Sequence, residues 1–249
     1  MAIEETIVKS GISGGLAALS TAYPAFSPLF SVLQPVAEDF ASRALSTKER
    51  NRVDRTYKEI IDKIGKKLEA GSVPRTDDYW APNAEGVSNA TVLLEGVLIK
   101  ARDEYEGKKR RYFPNLCANM CFAEHLPYER LNTILRLFEQ LTYRQLQILA
   151  YVYRNGAVNT CSWELRIRLL PSTDKYYDIF CEVFNLYNVN LLKNPTAGWT
   201  SNGISELRLS PLGLDLVSLA ELNSIPEEEI ADIASYINTI NSILASHWE

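Results

Sequence analysis

Three side chains that bind soft metal ions, Cys117, Cys121 and His125, recur at intervals of four residues. On a helix this spacing would align them on one face, where they could hold zinc. A structural zinc site needs a fourth ligand, however, and Pro127 follows so closely that we expect His125 beyond the end of the helix. Cysteine is also among the residue types most often buried in a core. The sequence therefore favours two core cysteines, and we predict no metal site.

Side chains for acid, base or nucleophilic catalysis are scarce. The chain has two histidines, His125 and His247, which severely limits general-base and triad mechanisms. Asp77 and Asp78 are adjacent carboxylates in a predicted loop, where we expect them to be solvated rather than to bind a cation. The sequence contains no Walker loop, no dinucleotide glycine pattern and no HExxH motif. We therefore predict a protein that is not an enzyme and uses no cofactor.

The composition is that of a soluble globular protein, with 46% hydrophobic and 23% charged residues in a chain of 249. The formal net charge is −5, and its whole excess lies in residues 142–249, which hold seven basic and twelve acidic side chains. Such a field does not gather nucleic acid. Glu4 and Glu5 stand where a secretory signal would carry positive charge, so we predict a cytoplasmic protein with reduced thiols.

Apolar side chains at helical spacing predict that most of the chain is α-helical. Capping boxes at Ser46–Glu49 and Thr142–Gln145 open two helices, while Ser88 and Pro127 open two more, and a short helix is expected over 115–123. The stripes predicted to face inward comprise, in chain order, Val53, Tyr57, Ile60, Ile64 and Leu68; Leu93, Leu94, Val97, Leu98, Ala101 and Tyr105; Leu131, Ile134, Leu135 and Phe138; and Leu146, Leu149, Val152 and Tyr153. The basic run at 108–111 (KKRR) could touch phosphate, but a run this short is usually a solvated turn.

Residues 10–37 form a segment of 28 residues without a charge. Its prolines, Pro24, Pro28 and Pro35, interrupt any continuous helix and argue against a membrane-spanning one. Two interpretations stay open. The segment is either a pair of buried helices around a turn near Tyr23 to Pro28, or an element that is sheltered at rest and enters a membrane interface when released. In the second interpretation the membrane contacts would be Leu16, Leu19, Phe26, Leu29 and Phe30.

The C-terminal part changes from helical to extended periodicity. We predict helices over 163–170 and 174–187, strands over 188–192 and 204–210 that pair as a hairpin, and a helix that opens at Ser210-Pro211. The stripe predicted to face inward in the second helix comprises Tyr177, Phe180, Val183, Phe184 and Tyr187. This order of elements over 142–222, together with the phrase LRLSPLGLDLVSLAEL, resembles a winged-helix domain. The rest of the chain is similar to uncharacterised bacterial helical proteins.

The resemblance implies that residues 174–187 would be the recognition helix, which in DNA-binding members presents basic and amide side chains to the major groove. Here that helix carries Asp174, Asp178 and Glu182 at spacings of four, an acidic face that phosphates would repel. We therefore expect the domain to contact protein rather than DNA. The contact residues we predict there are Tyr176, Asp178, Glu182 and Trp199.

A last helix after Pro226 has the apolar spacing of a coiled coil. Its seam consists of Ile230, Ile233, Ile237, Ile240 and Leu244. Two heptads are too short to be self-sufficient, so two interpretations stay open. The seam either packs back on its own domain or joins a second chain, and the second interpretation predicts a homo-oligomer.

The fold class that we predict is mainly α, with a helical domain over 1–141 and a small winged-helix-like α+β region plus a C-terminal helix over 142–249. The predicted function is a non-enzymatic bacterial interaction protein, an adaptor or subunit of a larger assembly such as a stress or defence system. Two alternatives are a membrane-active effector that uses residues 10–37, peripheral to the inner membrane, and a winged-helix transcription regulator.

Overall fold

The computed structural model describes residues 20–159, 175–195 and 206–245. Within these ranges the protein is mainly α-helical with a small α+β region, as predicted. The chain divides into two compact units, Met1–Gln140 (unit 1) and Leu141–Glu249 (unit 2). None of the helices in the described ranges combines the length and the apolarity needed to cross a membrane.

Unit 1 is helical throughout its described part. Its helices are α1 (Ser27–Ser42), α2 (Thr47–Glu69), α3 (Asn89–Asp103), α4 (Gly107–Arg110), α5 (Phe113–Met120) and α6 (Tyr128–Gln140), with short 3-10 turns at Pro24–Phe26 and Asp78–Trp80. The helices α3 and α5 pack on α2, while α1 and α6 pack on α3. The core of the unit therefore forms around α2 and α3.

Helix α2 begins at the predicted capping box. The Glu49 N–H donates to the Ser46 hydroxyl at 3.3 Å, and the Ser46 N–H donates to the Glu49 carboxylate at 2.9 Å. The whole predicted stripe of this helix, Val53 to Leu68, is buried. Since burying one such side chain contributes roughly 1.5–3 kcal/mol, this stripe anchors the unit. The helix ends before Gly71, which takes the left-handed φ of +82° that glycine tolerates.

Three details of unit 1 differ from the sequence-based expectation. Helix α3 ends at Asp103, because the backbone of Glu104 is extended, and Tyr105 beyond it is 83% exposed. Pro35 lies inside α1 without ending it. Because proline has no N–H, the Ser31 carbonyl one turn earlier lacks its helical hydrogen-bond donor. Pro35 and Ser31 both lie on the exposed side of the helix, so water can hydrate that carbonyl.

The basic run is not a fully solvated turn. Residues Gly107–Arg110 form the short helix α4, and Lys109 within it is 2% exposed. The Lys109 ammonium lies 2.6 Å from the Glu104 carboxylate and donates to the Glu139 carbonyl at 2.7 Å. The prediction is wrong for this residue because a buried lysine is tolerated where a carboxylate and a carbonyl replace its water.

Unit 2 combines helices with a small sheet. Its described elements are α7 (Tyr143–Asn155), β1 (Val158–Asn159), α8 (Lys175–Asn188), β2 (Leu192–Lys193), β3 (Glu206–Leu209), α9 (Pro211–Ala220), a 3-10 turn at Leu222–Ser224, and α10 (Glu227–Ala245). The capping box at Thr142 is present, and Gly156 ends α7 with a φ of +81°. The predicted stripe of α7 is buried except for Tyr153, which is 48% exposed.

The sheet is antiparallel with the order β1-β3-β2. The predicted hairpin pairs Leu192 with Leu209, whereas the pairing of β1 with β3 was not predicted because a two-residue strand leaves no periodicity. The first strand of the hairpin begins later than expected. Helix α8 continues to Asn188, and Asn190 then takes a left-handed φ of 59° that turns the chain into β2.

Candidate functional site

Helix α8 is the helix that the resemblance singled out for partner recognition. Its core face consists of Ile179, Val183 and Leu186, each at most 1% exposed. Four of the five residues predicted to face inward lie outside this core face, and only Val183 belongs to it. The prediction is wrong because two apolar stripes run along this helix, and the core covers the aliphatic stripe rather than the more aromatic one.

The second stripe, which we name the aromatic edge, consists of Tyr177, Phe180, Phe184 and Tyr187. All four side chains are half-buried. The rings of Phe180 and Phe184 have centroids 4.4 Å apart, and Phe184 meets Tyr187 nearly edge-on at 6.4 Å. Such spacings are favourable for aromatic pairs. The edge is therefore an ordered row of rings, each of which keeps part of its surface accessible.

The predicted acidic residues lie on the side of α8 opposite the aromatic edge, and Asp178 and Glu182 differ in their surroundings. Asp178 is exposed. Glu182 is largely covered, and its carboxylate accepts a 2.8 Å hydrogen bond from Arg144 of α7. The acidic face is thus partly neutralised within unit 2. Tyr176 lies in α8 without a described side chain, while Asp174 and Trp199 fall in ranges that the structure does not describe.

The predicted coiled-coil seam is closed within unit 2. Ile230, Ile233 and Ile237 are at most 4% exposed, because α10 packs along α7 and also contacts α8. The Tyr143 hydroxyl donates to the Glu229 carboxylate at 2.6 Å and fastens the start of α10 to α7. The burial of these three isoleucines therefore favours the interpretation in which the seam packs back on its own domain, and the homo-oligomer stays a prediction. The side chains of Ile240 and Leu244 are not described.

The uncharged N-terminal segment is packed where it is described. Leu29 is 1% and Phe30 8% exposed in α1, and Phe26 just before them is half-buried. The Tyr57 hydroxyl donates to the carbonyl of Leu33 at 2.8 Å, which ties α1 to α2. The buried-helix interpretation therefore holds for this conformation, and membrane contact by these residues would require release of α1. Leu16 and Leu19 lie outside the described residues.

The two cysteines of the metal pattern are core residues. Cys117 and Cys121 are buried, whereas His125 is exposed beyond the end of α5. Burial raises the pKa of the Cys121 thiol to about 12 and that of Cys117 well above its ordinary value. Both are uncharged at neutral pH and so are poor nucleophiles. Across the described ranges no three histidine, cysteine or carboxylate side chains converge to hold a metal ion.

A buried arginine beside these cysteines escaped the sequence analysis. Arg75 is 4% exposed, and its Nε donates to Asp77 at 2.7 Å, while its Nη2 contacts the same carboxylate and donates to the Leu126 carbonyl at 3.2 Å. The guanidinium also lies 4.2 Å from the ring centre of Tyr79. Asp77 is therefore paired rather than fully solvated, and hydrogen bonds from Arg75 lower the pKa of its carboxyl group. No periodic pattern points to this pair, because it lies in a loop.

These features divide the molecule by role. Buried features stabilise each unit separately: the Arg75–Asp77 pair and the two cysteines in unit 1, and the α10 isoleucines in unit 2. The aromatic edge, in contrast, combines apolar character with accessibility. Comparison with protein-family models, curated proteins and solved structures gave no match. The function therefore has to be inferred from the residues themselves.

Proposed function

We propose that this chain is a non-enzymatic adaptor or assembly subunit that binds a partner protein through α8. The observation that carries the proposal is the aromatic edge, a row of half-buried rings on the helix that a winged-helix domain uses for recognition. Aromatic residues are enriched at protein interfaces because they bury a large rigid surface at little entropic cost. The choice of α8 rests on the resemblance of residues 142–222 to a winged-helix domain.

The charges around α8 specify the chemistry of the partner. The acidic side chains of residues 142–249 outnumber the basic ones by twelve to seven, so the surroundings of the aromatic edge are acidic as a whole. A second copy of unit 2 would bring like charges together, whereas a surface with lysine or arginine around an apolar centre would be attracted. We therefore propose a different protein with a basic, apolar surface as the occupant.

The same charges argue against a role for α8 in reading the major groove of DNA. Along α8 a single lysine, Lys175, stands with Asp178 and Glu182, and the neighbouring Arg144 already donates to Glu182. A helix that reads DNA must place positive charge and bidentate donors against phosphates and bases. The transcription-regulator alternative would require this surface to hold a polyanion against its own charge.

Site-specific photo-crosslinking in cells tests the proposal. A photoreactive phenylalanine analogue at position 184 should give one discrete product with a basic partner, whereas the same analogue at Tyr153 should not. Tyr153 is a matched control because it is an exposed aromatic residue of the same unit that lies on α7. The purified partner should bind the full chain directly, more weakly as salt is raised.

Substitutions then assign the contact. Phe184→Ala should weaken binding of the purified partner at least tenfold, while Tyr153→Ala should leave it unchanged. Circular dichroism and the thermal midpoint establish that each variant is folded. The proposal is wrong if no product forms at position 184, or if the chain instead holds duplex DNA at physiological salt and loses it through Phe184→Ala.

A further inference from the structure

Unit 1 contains a cavity of about 240 Å³ that lies between α2 and α4. We name it the basic recess, and its lining comprises Arg55, Thr56, Glu59, Gly107, Lys108, Arg110 and Arg111. Four of these side chains are basic and one is acidic. Residues 1–141 as a whole balance nineteen basic against nineteen acidic side chains, so the recess concentrates positive charge in a region that is neutral overall.

Helix periodicity explains why these side chains meet. Arg55 and Thr56 follow Arg52 by three and four residues, and Glu59 follows Thr56 and Arg55 by three and four, which places all four on one side of α2. Arg110 is directed by a 3.1 Å hydrogen bond from its Nη1 to the Glu104 carbonyl, and Arg52 by a 2.7 Å hydrogen bond to the Arg102 carbonyl. Backbone carbonyls therefore orient both guanidinium groups.

Glu59, the one acidic residue of the lining, does not balance the positive charge of the basic recess. The Glu59 carboxylate accepts a 2.9 Å hydrogen bond from Arg55, so this single acid offsets at most one of the four cations that line the recess. The pKa of Arg110 is lowered, first by burial and then by the positive charges of Arg52 and Arg55. These cations outweigh the acidic groups nearby, which places like charges against one another in a concave site. A bound anion would relieve this repulsion.

We infer that the basic recess binds a compact phosphoryl anion, a free phosphate or diphosphate or the phosphate end of a small metabolite. The planar guanidinium groups of Arg55, Arg110 and Arg111 match the tetrahedral oxygens of phosphate through paired N–H donors. The volume is below the roughly 300–1,000 Å³ of pockets that enclose drug-sized molecules, which fits a phosphate group better than a whole nucleotide. A nucleic acid would instead need a row of basic contacts along its backbone.

Calorimetric titration of the full chain with inorganic pyrophosphate, with sodium chloride adjusted to hold ionic strength constant, tests the inference. Saturable binding with one site is expected. The double variant Arg55→Gln/Arg111→Gln should weaken it at least tenfold, because two of the four cations are removed. Arg136→Gln is the matched control, since it makes the same change on an exposed position of α6 outside the recess and should leave binding unchanged.

A steric variant separates shape from charge. A Cβ at Gly107 would lie 3.9 Å from Nη2 of Arg110, so Gly107→Leu extends a side chain towards the recess without altering any charge. Its binding of pyrophosphate should also fall at least tenfold, with the thermal midpoint reported alongside. If Gly107→Leu unfolds, the double arginine variant carries the test alone.

Three results would overturn the inference. Pyrophosphate and phosphate could both fail to bind saturably, or Arg136→Gln could weaken binding as much as the double variant, which would indicate general charge attraction. The chain could also bind duplex DNA that pyrophosphate fails to displace, which would indicate a polyanion surface instead. Binding of a phosphorylated metabolite more tightly than pyrophosphate would support the inference and identify the recess as a phosphate-end site.

Discussion

The two units differ in where they keep their positive charge. In unit 1, Lys109 and Arg75 are 2% and 4% exposed, each beside a carboxylate and a backbone carbonyl. In the described part of unit 2, the paired arginines Arg144, Arg154 and Arg208 keep from 24% to 56% of their side chains exposed. The difference teaches that unit 1 packs two of its cations inside its core, whereas the described part of unit 2 keeps its paired arginines at the surface.

The largest effect should follow loss of the most buried cation. Lys109→Met leaves the Glu104 carboxylate, whose side chain is 8% exposed, without its partner. Breaking a buried ion pair in this way costs about 3–5 kcal/mol. Urea unfolding should register the loss, and hydrogen exchange read by mass spectrometry should assign it to residues 89–140. The paired change Lys109→Met/Glu104→Leu should recover most of the stability, and a double variant as unstable as the single one would contradict the buried-pair account.

Two helix glycines provide a matched pair across the units. A Cβ at Gly213 in α9 would lie 2.1 Å from the carbonyl oxygen of Leu191, which itself accepts from the Ser210 N–H at 3.0 Å. Since backbone there cannot yield cheaply, Gly213→Ala should cost about 1–3 kcal/mol and loosen the contact of α9 with the start of β2.

Gly96→Ala in α3 is the control for this change. Its Cβ would meet only the flexible end of Leu135, at 3.1 Å, and alanine gains about 0.8–1.0 kcal/mol of helix propensity over glycine. The two effects should nearly cancel. Thermal unfolding of both variants measures the contrast, and equal destabilisation of the two would show that the close approach at Gly213 has no special weight.

Apolar spacing predicts the buried face of a helix where the helix has one apolar face, and fails where it has two. On α2 a single stripe alternates with charged residues, so the period and the capping box predicted the helix and five of its buried residues, while Thr56, Ile61 and Gly65 widen the buried face. On α8 one apolar stripe begins at Tyr177 and another at Ile179, and periodicity cannot tell which of them the neighbouring elements cover. Tertiary packing decides that.

The site residues that escaped prediction share one property, which is that they lie in short or irregular segments. Arg75 and Asp77 pair within a loop, and Lys109 is buried by a four-residue helix. Neither arrangement produces a repeating pattern. Whether a loop can bury a cation depends on which carboxylates and carbonyls the fold brings to that cation. One such partner of Arg75, the Leu126 carbonyl, lies 51 residues away along the chain.

A smaller loss is expected for an arginine at the surface of unit 2. Arg154 donates to the carbonyls of Ile225 and Asn223 and to the Glu227 carboxylate at 3.2 Å, and so holds the turn before α10 against α7. Arg154→Gln should cost about 1–2 kcal/mol, because charged donors are lost but the carbonyls can be hydrated. Hydrogen exchange should rise in residues 222–233. Arg208→Gln, on β3, is the control and should change stability by less than about 0.5 kcal/mol.

The smallest expected effect is a pH-dependent change in stability. It is small because Asp77, the partner of the buried Arg75, is partly exposed. Hydrogen bonds from Arg75 lower the pKa of the Asp77 carboxyl group in the folded protein, so at acidic pH the unfolded chain binds the proton more tightly. The resulting stability is present above about pH 4, where an unfolded aspartate is ionised, and it is lost as pH falls further. Asp77→Asn should therefore be less stable than the natural chain at pH 7, by under about 1 kcal/mol because the Asp77 side chain is 31% exposed.

This gap should close as pH falls from 5 to 2, because the natural carboxyl group becomes neutral like the amide. Urea midpoints of both proteins across that range measure it, with Asp78→Asn as the control, since Asp78 is exposed at the adjacent position. A gap that stays constant with pH would mean that Asp77 acts through its shape rather than its charge. Unit 1 would then rely on Tyr79 and the Leu126 carbonyl to hold the buried guanidinium of Arg75, and ion pairing in its core would be confined to Lys109 and Glu104 among the residues described.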